Sequence, residues 1–302
     1  MKIKEIIIIG AGAAGLTSAI YASRAMLDFC VIEKSALSGG QIINTSEIDN
    51  YPGFISTTGS ELSIKLREHA EACNTSFIQD NVLEIRKENG IFSVKCEKET
   101  YSAKTVIAAC GAVRKKLGAE GEQRLAGSGV SYCAVCDGAF FKNKTVTVVG
   151  GGNTAAEEAL YLSKIARQVY LVHRRDKLRA GRALQIRINE APNIQLVFNS
   201  TITEVTGDNK VSGIRLDQNG SSSFINTDGV FIAIGISPQS ELLKGLAELD
   251  KQGFIIAREN CETSLAGLFA AGDIRTKPLR QIVTAAADGA AAVSSAEKYL
   301  NS

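Results

Sequence analysis

Short apolar runs recur along this chain, separated by glycine-rich turns and by stretches with helical character. The first run, Ile6–Ile9, lies in "KEIIIIGAGAAGLTSAIYASRA" and predicts a buried strand. The glycines after it predict a tight turn, and the small and apolar residues that follow predict a helix to about Arg24. A second apolar run, Phe29 to Ile32, predicts another strand. The order strand, turn, helix, strand is typical of an α/β fold.

The spacing of three glycines makes this first segment a candidate dinucleotide site. Gly10 permits the tight turn, Gly12 lets a pyrophosphate approach the backbone, and Gly15 lets the helix pack on the strand. The amides at the helix start then face the phosphate charge. Glu33 ends the second strand, where it can accept hydrogen bonds from a ribose diol. The alternative is a glycine-rich turn in some other α/β fold.

A related pattern returns in the middle of the chain. The run Thr145 to Val149 predicts a strand, the motif "GGGNTA" at 150–155 predicts a turn, and a helix is expected from about Ala155 to Ile165. Gln168 to Val172 predicts the next strand. His173 lies 23 positions after Gly150, the same spacing that separates Glu33 from Gly10. The chain therefore holds two dinucleotide modules.

The second module has basic residues at the position where the first module has Glu33. His173, Arg174 and Arg175 follow the strand directly, and Arg179 is expected one helical turn after Arg175. A carboxylate here would repel a 2′-phosphate, whereas arginines bind one. We therefore expect the second module to prefer NADPH over NADH. The alternative is the solvated start of a basic helix.

Two dinucleotides in one chain suggest that one of them is a flavin that exchanges electrons with NADPH. The segment "GLFAAGDI" at 267–274 predicts a strand that ends in Gly272 and Asp273, and a buried acid there can bind a ribityl chain. An alanine-rich helix begins after Arg280 and Gln281, and its N-terminus would stabilise negative charge on a reduced flavin.

The stretch "SYCAVCDGAFF" contains two cysteines separated by two residues. A structural zinc site needs four ligands, but the sequence has no second such pair and only two histidines. A redox pair formed by Cys133 and Cys136 fits a chain with two dinucleotide modules better than zinc or inert thiols do. Asp137 is a candidate proton donor or acceptor for the departing thiolate. It could instead cap the following turn.

Composition and charge narrow the function classes. A net charge of +2 over 302 residues gives no basic surface that would indicate nucleic acid. The other five cysteines are scattered, as expected of buried thiols in a reducing compartment. The first residues imitate a signal peptide, but their glycine spacing favours a strand and turn, and no apolar run is long enough for a membrane helix. We expect a cytoplasmic protein without a metal site.

The motifs together resemble those of bacterial low-molecular-weight thioredoxin reductases over nearly the whole chain. The matching stretches are "GAGAAG", "SGGQI", "IDNYPG", "CAVCDG", "GGGNTAAEEALYLS", "HRRDKLR", "AAGDI" and "LRQIVTAAADGAAA". This resemblance implies a homodimer that carries FAD, takes electrons from NADPH and reduces thioredoxin. Departures are Ala266, where proline is common in the family, and Cys261.

The resemblance also assigns cofactor contacts. Those to FAD would be Gly10, Gly12, Ala14, Glu33, Gly40, Gln41, Asn50, Asp273, Arg280 and Gln281. Those to NADPH would be Gly152, Asn153, Thr154, His173, Arg174, Arg175 and Arg179. It places Cys136 on the flavin side and gives Cys133 the attack on the thioredoxin disulfide. Relatives that use another electron donor lack the arginine cluster, which this chain keeps.

The fold class expected is α/β, with two Rossmann-like domains and the NADPH domain inserted into the FAD domain. Residues 1–113 and 242–302 would form the FAD domain, and residues 114–241 the NADPH domain with the redox pair. Disulfide and nicotinamide compete for one flavin face, which predicts alternating domain orientations. Two other functions remain open: a flavin disulfide reductase for a glutaredoxin-like or peroxidase-linked protein, and a redox sensor without turnover.

Overall fold

A computed structural model describes residues 3–45 and 48–302 of the chain. Its contacts divide the chain into two compact units. The first consists of Met1–Val113 and Ser237–Ser302, and the second, Arg114–Ile236, is inserted between these two parts. The chain therefore returns to the first unit at Ser237, five residues before the predicted boundary at 242. Each unit has its own sheet and its own core, and the fold class is the predicted one.

The strands follow the chain in this order: β1 Lys4–Ile9, β2 Phe29–Glu33, β3 Phe77–Gln79, β4 Val82–Glu88, β5 Ile91–Cys96, β6 Thr100–Ala108, β7 Ala112–Arg114, β8 Val130–Ser131, β9 Thr145–Val149, β10 Gln168–Val172, β11 Ile194–Val197, β12 Ser200–Thr206, β13 Gly213–Gln218, β14 Ser221–Asn226, β15 Gly229–Ile232, β16 Ile236–Pro238 and β17 Leu268–Ala270. The α-helices are α1 Ala13–Arg24, α2 Gly59–Ala72, α3 Ala134–Asp137, α4 Asn153–Leu162, α5 Arg182–Glu190 and α6 Ile282–Leu300. None of the described helices is long and apolar enough to cross a bilayer.

The sheet of the first unit has the order β3-β2-β1-β6, with parallel pairing throughout this part. The second half of β6 also pairs with β17 in parallel, and its first half pairs with β5 in antiparallel orientation. Strand β5 pairs in turn with β4, again antiparallel. Ile6 and Ile8 face one hydrophobic cluster, whereas Ile7 and Ile9 face another. Both faces of β1 are covered, which explains why its sequence is continuously apolar rather than alternating.

Helices α1 and α6 cover one face of this sheet and approach each other closely at small residues. A Cβ on Gly289 would lie 2.3 Å from the Ala14 carbonyl oxygen, so only glycine fits at this crossing. The hydroxyl of Ser18 donates to the Gly289 carbonyl at 3.1 Å. The start of α1 and the first half of α6 are thereby held side by side, which places the segment before α6 next to the first glycine turn.

The second unit repeats the parallel arrangement. Its main sheet has the order β11-β10-β9-β15-β8, and a separate antiparallel sheet contains β12, β13 and β14. Helix α4 begins at Asn153, two residues earlier than predicted, and ends at Leu162. It ends before Ile165 because the following residues form turns: Lys164 and Ile165 donate to the carbonyls three residues earlier.

Candidate active site and dinucleotide sites

The first glycine turn has the shape that a pyrophosphate site needs. Gly10 has a φ of +102°, which disfavours any residue with a side chain. A Cβ on Gly15 would lie 1.8 Å from the Gly10 carbonyl oxygen, so the turn and α1 are in direct contact. At Gly12 the nearest such neighbour is 3.9 Å away, which leaves this face of the turn open. Gly10 and Gly15 have the turn and packing geometry that the sequence predicted, and the pyrophosphate contact at Gly12 stays a prediction.

Glu33 fixes the loops around this turn as well as presenting acceptors. Its Oε2 accepts the backbone N–H of Ala11 at 2.7 Å, and its Oε1 accepts that of Ser35 at 2.9 Å. Each carboxylate oxygen keeps a further lone pair. The side chain can therefore hold the turn and still bind a ribose hydroxyl.

The remaining residues assigned to FAD lie around the same edge of the sheet. A Cβ on Gly40 would be 3.6 Å from the Gly12 Cα, and one on Gly272 would be 3.0 Å from the Ala14 Cβ, which brings Asp273 to the start of α1. Gln41 donates to the Ala112 carbonyl. Asn50 donates to the Gln281 side chain at 3.3 Å. Residues that are far apart in sequence thus converge on the carboxyl ends of parallel strands, where ligands bind in such sheets.

Arg280 forms its hydrogen bonds with the loop that precedes α6. It donates to the carbonyls of Lys277 and Arg275, each at 3.2 Å, and its guanidinium lies 4.1 Å from the centre of the Phe254 ring. Burial lowers its pKa from the usual value. Arg280 therefore supports the walls of the site in addition to any contact with a cofactor.

Sequence reasoning missed Asp288, which organises this loop from α6. Its carboxylate accepts from the Gly272 N–H at 2.9 Å, from Arg275 Nη1 at 3.0 Å and from Lys277 Nζ at 2.8 Å. The only signal in the sequence was an acid in an otherwise alanine-rich helix. Its three donors come from a loop that cannot be placed without the fold.

The second glycine turn contains a packed glycine and an open one. A Cβ on Gly151 would lie 2.3–2.5 Å from atoms of the His173 ring, so glycine is required there. At Gly152 nothing lies within 4 Å, which leaves room for a phosphate in front of α4. Asn153 begins α4 and accepts the Gly181 N–H at 2.9 Å. Thr154 follows on the exposed side of the helix.

The basic segment after β10 is a loop, and the expected helical turn between Arg175 and Arg179 is wrong. The backbone at 174–177 bends, and the Arg179 N–H returns to the Gly151 carbonyl at 2.6 Å. This bond replaces helical hydrogen bonding and carries Arg179 back to the glycine turn. The side chains of Arg174, Arg175 and Arg179 are exposed, and the positive charges of all three act on His173 beside the glycine turn.

His173 differs from these arginines because it is buried against the turn. Only 5% of it is exposed, and its Nε2 has no hydrogen-bond partner among the described residues. Burial, then the charges of Arg179, Arg175 and Arg174, lower the pKa of His173 below its usual value. The imidazole is therefore neutral at pH 7, and its main visible contact is with the glycine turn.

The two cysteines of the redox pair are joined by a disulfide at the start of α3. Cys133 occupies the position before the helix, and its sulfur accepts the Cys136 N–H at 3.2 Å. The Asp137 carboxylate accepts from Ser131 Oγ at 2.5 Å, and that hydroxyl accepts the Cys133 N–H at 3.1 Å. Asp137 makes no capping bond to the following turn, so the alternative role considered for it is not observed.

A buried acid, Glu122, binds the segment that precedes Cys133 in sequence. It accepts backbone N–H groups from Leu117 at 2.9 Å and Gly118 at 2.7 Å, and it accepts the Tyr132 hydroxyl at 2.7 Å. Burial and then this bond raise the pKa of Tyr132, so the phenol stays protonated. This residue was also missed, because its partners are backbone groups and a tyrosine without a recognisable motif.

The other five cysteines are outside any disulfide. Burial raises the pKa of Cys30, Cys96 and Cys261 to about 11, and that of Cys110 to about 12. Because the thiolate is the reactive form, these thiols are inert near neutral pH. Among the described residues only Cys133 and Cys136 form a disulfide, which assigns the redox chemistry to this pair.

Comparison with known proteins agrees with this arrangement. The family described as pyridine nucleotide-disulphide oxidoreductase matches residues 4–289. A thioredoxin reductase of Listeria monocytogenes is 47% identical over 302 residues, which cover 99% of this chain and 94% of that protein. One from Bacillus subtilis is 46% identical, with 99% and 95% covered. The crystal structure of the Streptococcus pyogenes thioredoxin reductase matches with a TM-score of 0.93 at 42% identity, covering 99% of this chain and 98% of that one. The chain therefore belongs to the pyridine nucleotide-disulphide oxidoreductases, among the thioredoxin reductases.

Proposed function

We propose that this enzyme takes electrons from NADPH and delivers them, through FAD and the Cys133–Cys136 pair, to the disulfide of thioredoxin. The observation that carries the proposal is the disulfide itself: it starts a short helix beside Asp137, within the unit that also holds the arginine-flanked glycine turn. Relatives similar over nearly the whole chain are named for this activity.

The first unit has the groups that FAD requires. The open face at Gly12 would accept the pyrophosphate, Glu33 the ribose, and the turn around Asp273 the ribityl chain. Asn50 and Gln281 already form a polar pair at the start of α6, where the helix N-terminus favours negative charge. When bound, FAD supplies a two-electron relay between nicotinamide and disulfide. The protein contributes by positioning the nicotinamide, the flavin and the disulfide for this transfer.

The second unit would bind NADPH through the open face at Gly152 and the three exposed arginines. The 2′-phosphate is the only part of NADPH that NADH lacks, and guanidinium groups bind phosphate with two parallel hydrogen bonds. Neutral His173 adds no charge to this site. It keeps Gly151 and the arginine loop in place, so its contribution is mainly one of shape.

The thiol chemistry at Cys133 and Cys136 balances as a disulfide exchange. Two electrons and two protons convert their disulfide to two thiols. The Cys133 thiolate then attacks one sulfur of the partner disulfide, and Cys136 attacks Cys133 in the resulting mixed disulfide. The partner leaves as a dithiol, and the Cys133–Cys136 disulfide forms again. Asp137, held by Ser131, lies one residue after Cys136 and would exchange the proton at that sulfur.

The inserted unit would alternate between two orientations, because a nicotinamide and a disulfide cannot share one flavin face. We further propose a cytoplasmic homodimer that binds no nucleic acid and no membrane. The near-neutral charge and the five cysteines outside any disulfide support this proposal. Sedimentation of the FAD-loaded enzyme tests the dimer, and a monomer at micromolar concentration would refute it.

A panel of protein disulfides tests the choice of partner. The purified enzyme is mixed with NADPH and a thioredoxin, a glutaredoxin-like protein or a peroxidase-linked protein, and NADPH consumption is followed. We expect turnover with thioredoxin. Turnover with only another member would support the rival reductase, whereas bleaching of the visible flavin band without turnover would support a redox sensor.

A further inference from the structure

Two hydrogen bonds that involve no sulfur atom close the segment that carries the redox pair. The Ser131 hydroxyl accepts the Cys133 N–H at 3.1 Å and donates to the Asp137 carboxylate at 2.5 Å. It thereby links the first residue of the pair to the residue that follows the second. The Cys136 N–H, by contrast, donates to the Cys133 sulfur at 3.2 Å. Reduction of the disulfide changes that sulfur and leaves the donors and acceptors of the two Ser131 bonds as they are.

The Ser131 hydroxyl has one proton, and the distances show which acceptor takes it. The Asp137 oxygen lies 2.5 Å away, within the range of a hydroxyl bound to a carboxylate, whereas the Cys133 carbonyl oxygen lies 3.4 Å away. The proton therefore points to Asp137, and a lone pair of the hydroxyl stays available for the Cys133 N–H. Ser131 is a bridge whose donor is used on one side and whose acceptor is used on the other.

The bridge has a rigid support in the residues that precede the pair. Ser131 lies on β8, where it pairs with the fully buried Phe231 of β15, and only 5% of it is exposed. The next residue, Tyr132, donates its hydroxyl to the buried Glu122 carboxylate at 2.7 Å. Because Ser131 is fixed by the sheet and by its neighbour, its two bonds hold the more distant Asp137 end of the segment in place.

We propose that Ser131 is a positioning residue that keeps Cys133 and Cys136 in place after their disulfide is reduced, and thereby favours re-formation of that disulfide. The inference rests on the proposed function, since it concerns the same pair. Reduction breaks the S–S bond with two electrons and two protons and gives two thiols, and NADPH supplies the electrons during turnover. Re-formation of the bond passes the two electrons and two protons to the partner disulfide. The Ser131 hydroxyl is unchanged in both directions.

The bridge shifts the equilibrium between dithiol and disulfide because it restrains the dithiol more. In the disulfide form the S–S bond itself closes the loop between Cys133 and Cys136, so loss of the Ser131 bonds frees few conformations. In the dithiol form only hydrogen bonds hold this loop, and their loss would let the backbone gain conformational entropy. That gain would stabilise the dithiol. Ser131 prevents it and so favours the disulfide.

The test is the equilibrium of the pair with dithiothreitol, measured without oxygen in the FAD-loaded, full-length enzyme. Dithiothreitol gives two electrons and two protons to the disulfide and is itself oxidised to a cyclic disulfide. After acid quenching, denaturation and alkylation, mass spectrometry counts five labelled cysteines in the oxidised enzyme and seven in the reduced one. Ser131→Ala should raise the equilibrium constant for reduction about threefold to tenfold. An unchanged constant in this variant would overturn the proposal.

Two further variants separate the hydroxyl of Ser131 from a general effect of altering a buried serine. Ser200→Ala is the matched control: Ser200 is 2% exposed, lies in the same unit and donates to the Phe198 carbonyl at 2.7 Å. It should keep the equilibrium constant of the parent. Ser131→Thr retains the hydroxyl and should stay close to the parent as well. A shift in either variant equal to that of Ser131→Ala would contradict the proposal.

Hydrogen exchange of the Cys133 amide tests the bridge in the unaltered enzyme. Its acceptor is the Ser131 oxygen, so the amide should remain protected after reduction by dithiothreitol, as followed by NMR with isotope-labelled cysteine. Loss of protection on reduction would overturn the proposal even if Ser131→Ala failed to fold. Because thioredoxin is absent from both measurements, an enzyme that fails to reduce thioredoxin would refute the proposed function and leave this inference standing.

Discussion

The carboxylate of Asp288 accepts the backbone N–H of Gly272 at 2.9 Å and thereby ties α6 to the turn that carries Asp273. The same carboxylate pairs with Arg275 and Lys277, and all three side chains are between 7% and 12% exposed. A buried acid with two cations and a backbone donor is satisfied only when the loop has this one shape. The arrangement prepares the turn for a ligand before any ligand binds.

Replacing Asp288 with asparagine should lower the free energy of unfolding by about 3–5 kcal/mol, because two buried cations lose their partner. Retention of FAD should weaken as well, since the Gly272 turn loses its support. Urea unfolding and the amount of flavin kept after gel filtration are the measurements. Glu262→Gln breaks an exposed ion pair with Arg258 in the same unit and should cost less than about 1 kcal/mol. Equal losses in the two variants would show that Asp288 has no special role.

The two glycines of the second turn should respond differently to the same added methyl group. Gly151→Ala forces a Cβ into the His173 ring and should destabilise the enzyme by about 1–3 kcal/mol while raising the KM for NADPH. Gly152→Ala meets no protein atom within 4 Å and should leave stability near that of the parent while still raising the KM. Thermal unfolding and steady-state kinetics separate these outcomes. An unchanged KM for NADPH in the Gly152→Ala enzyme would show that no phosphate of NADPH binds at this position.

The preference for NADPH over NADH should depend on the loop that carries Arg174, Arg175 and Arg179. Replacing Arg175 and Arg179 together with alanine should raise the KM for NADPH more than tenfold, because each lost charged hydrogen bond costs about 1.5–3 kcal/mol. The KM for NADH should change little. Arg187→Ala, an exposed change on α5 in the same unit, serves as control. The same loss with both cofactors would mean that the loop does not recognise the 2′-phosphate.

These residues also show which features the sequence could predict. Five strands, both glycine turns and the cysteine pair follow from local patterns, because a buried strand and a tight turn require particular residues at adjacent positions. The five strands are β1, β2, β9, β10 and β17. The loop after His173 was expected to be helical, and a spacing of four residues between arginines could not reveal that the Arg179 N–H bonds to Gly151. Asp288 was missed because its backbone partner, Gly272, lies 16 positions away in sequence.

Each cysteine of the redox pair should be required for turnover but not for reduction of the flavin. Cys133→Ser and Cys136→Ser should both allow NADPH to bleach the visible flavin band in stopped-flow, and both should abolish reduction of thioredoxin. Cys73→Ser changes a thiol outside the pair and should behave as the parent. Normal turnover in either pair variant would mean that electrons bypass the disulfide.

The electron count from NADPH to thioredoxin shows whether the Cys133–Cys136 pair relays the electrons. NADPH is added in limiting amounts to the FAD-loaded enzyme and an excess of oxidised thioredoxin, and new thioredoxin thiols are titrated. We expect two thiols for each NADPH consumed with the parent enzyme, and none above background with Cys136→Ser. Thiols formed by the Cys136→Ser enzyme, or NADPH consumed by the parent without thioredoxin thiols appearing, would contradict it.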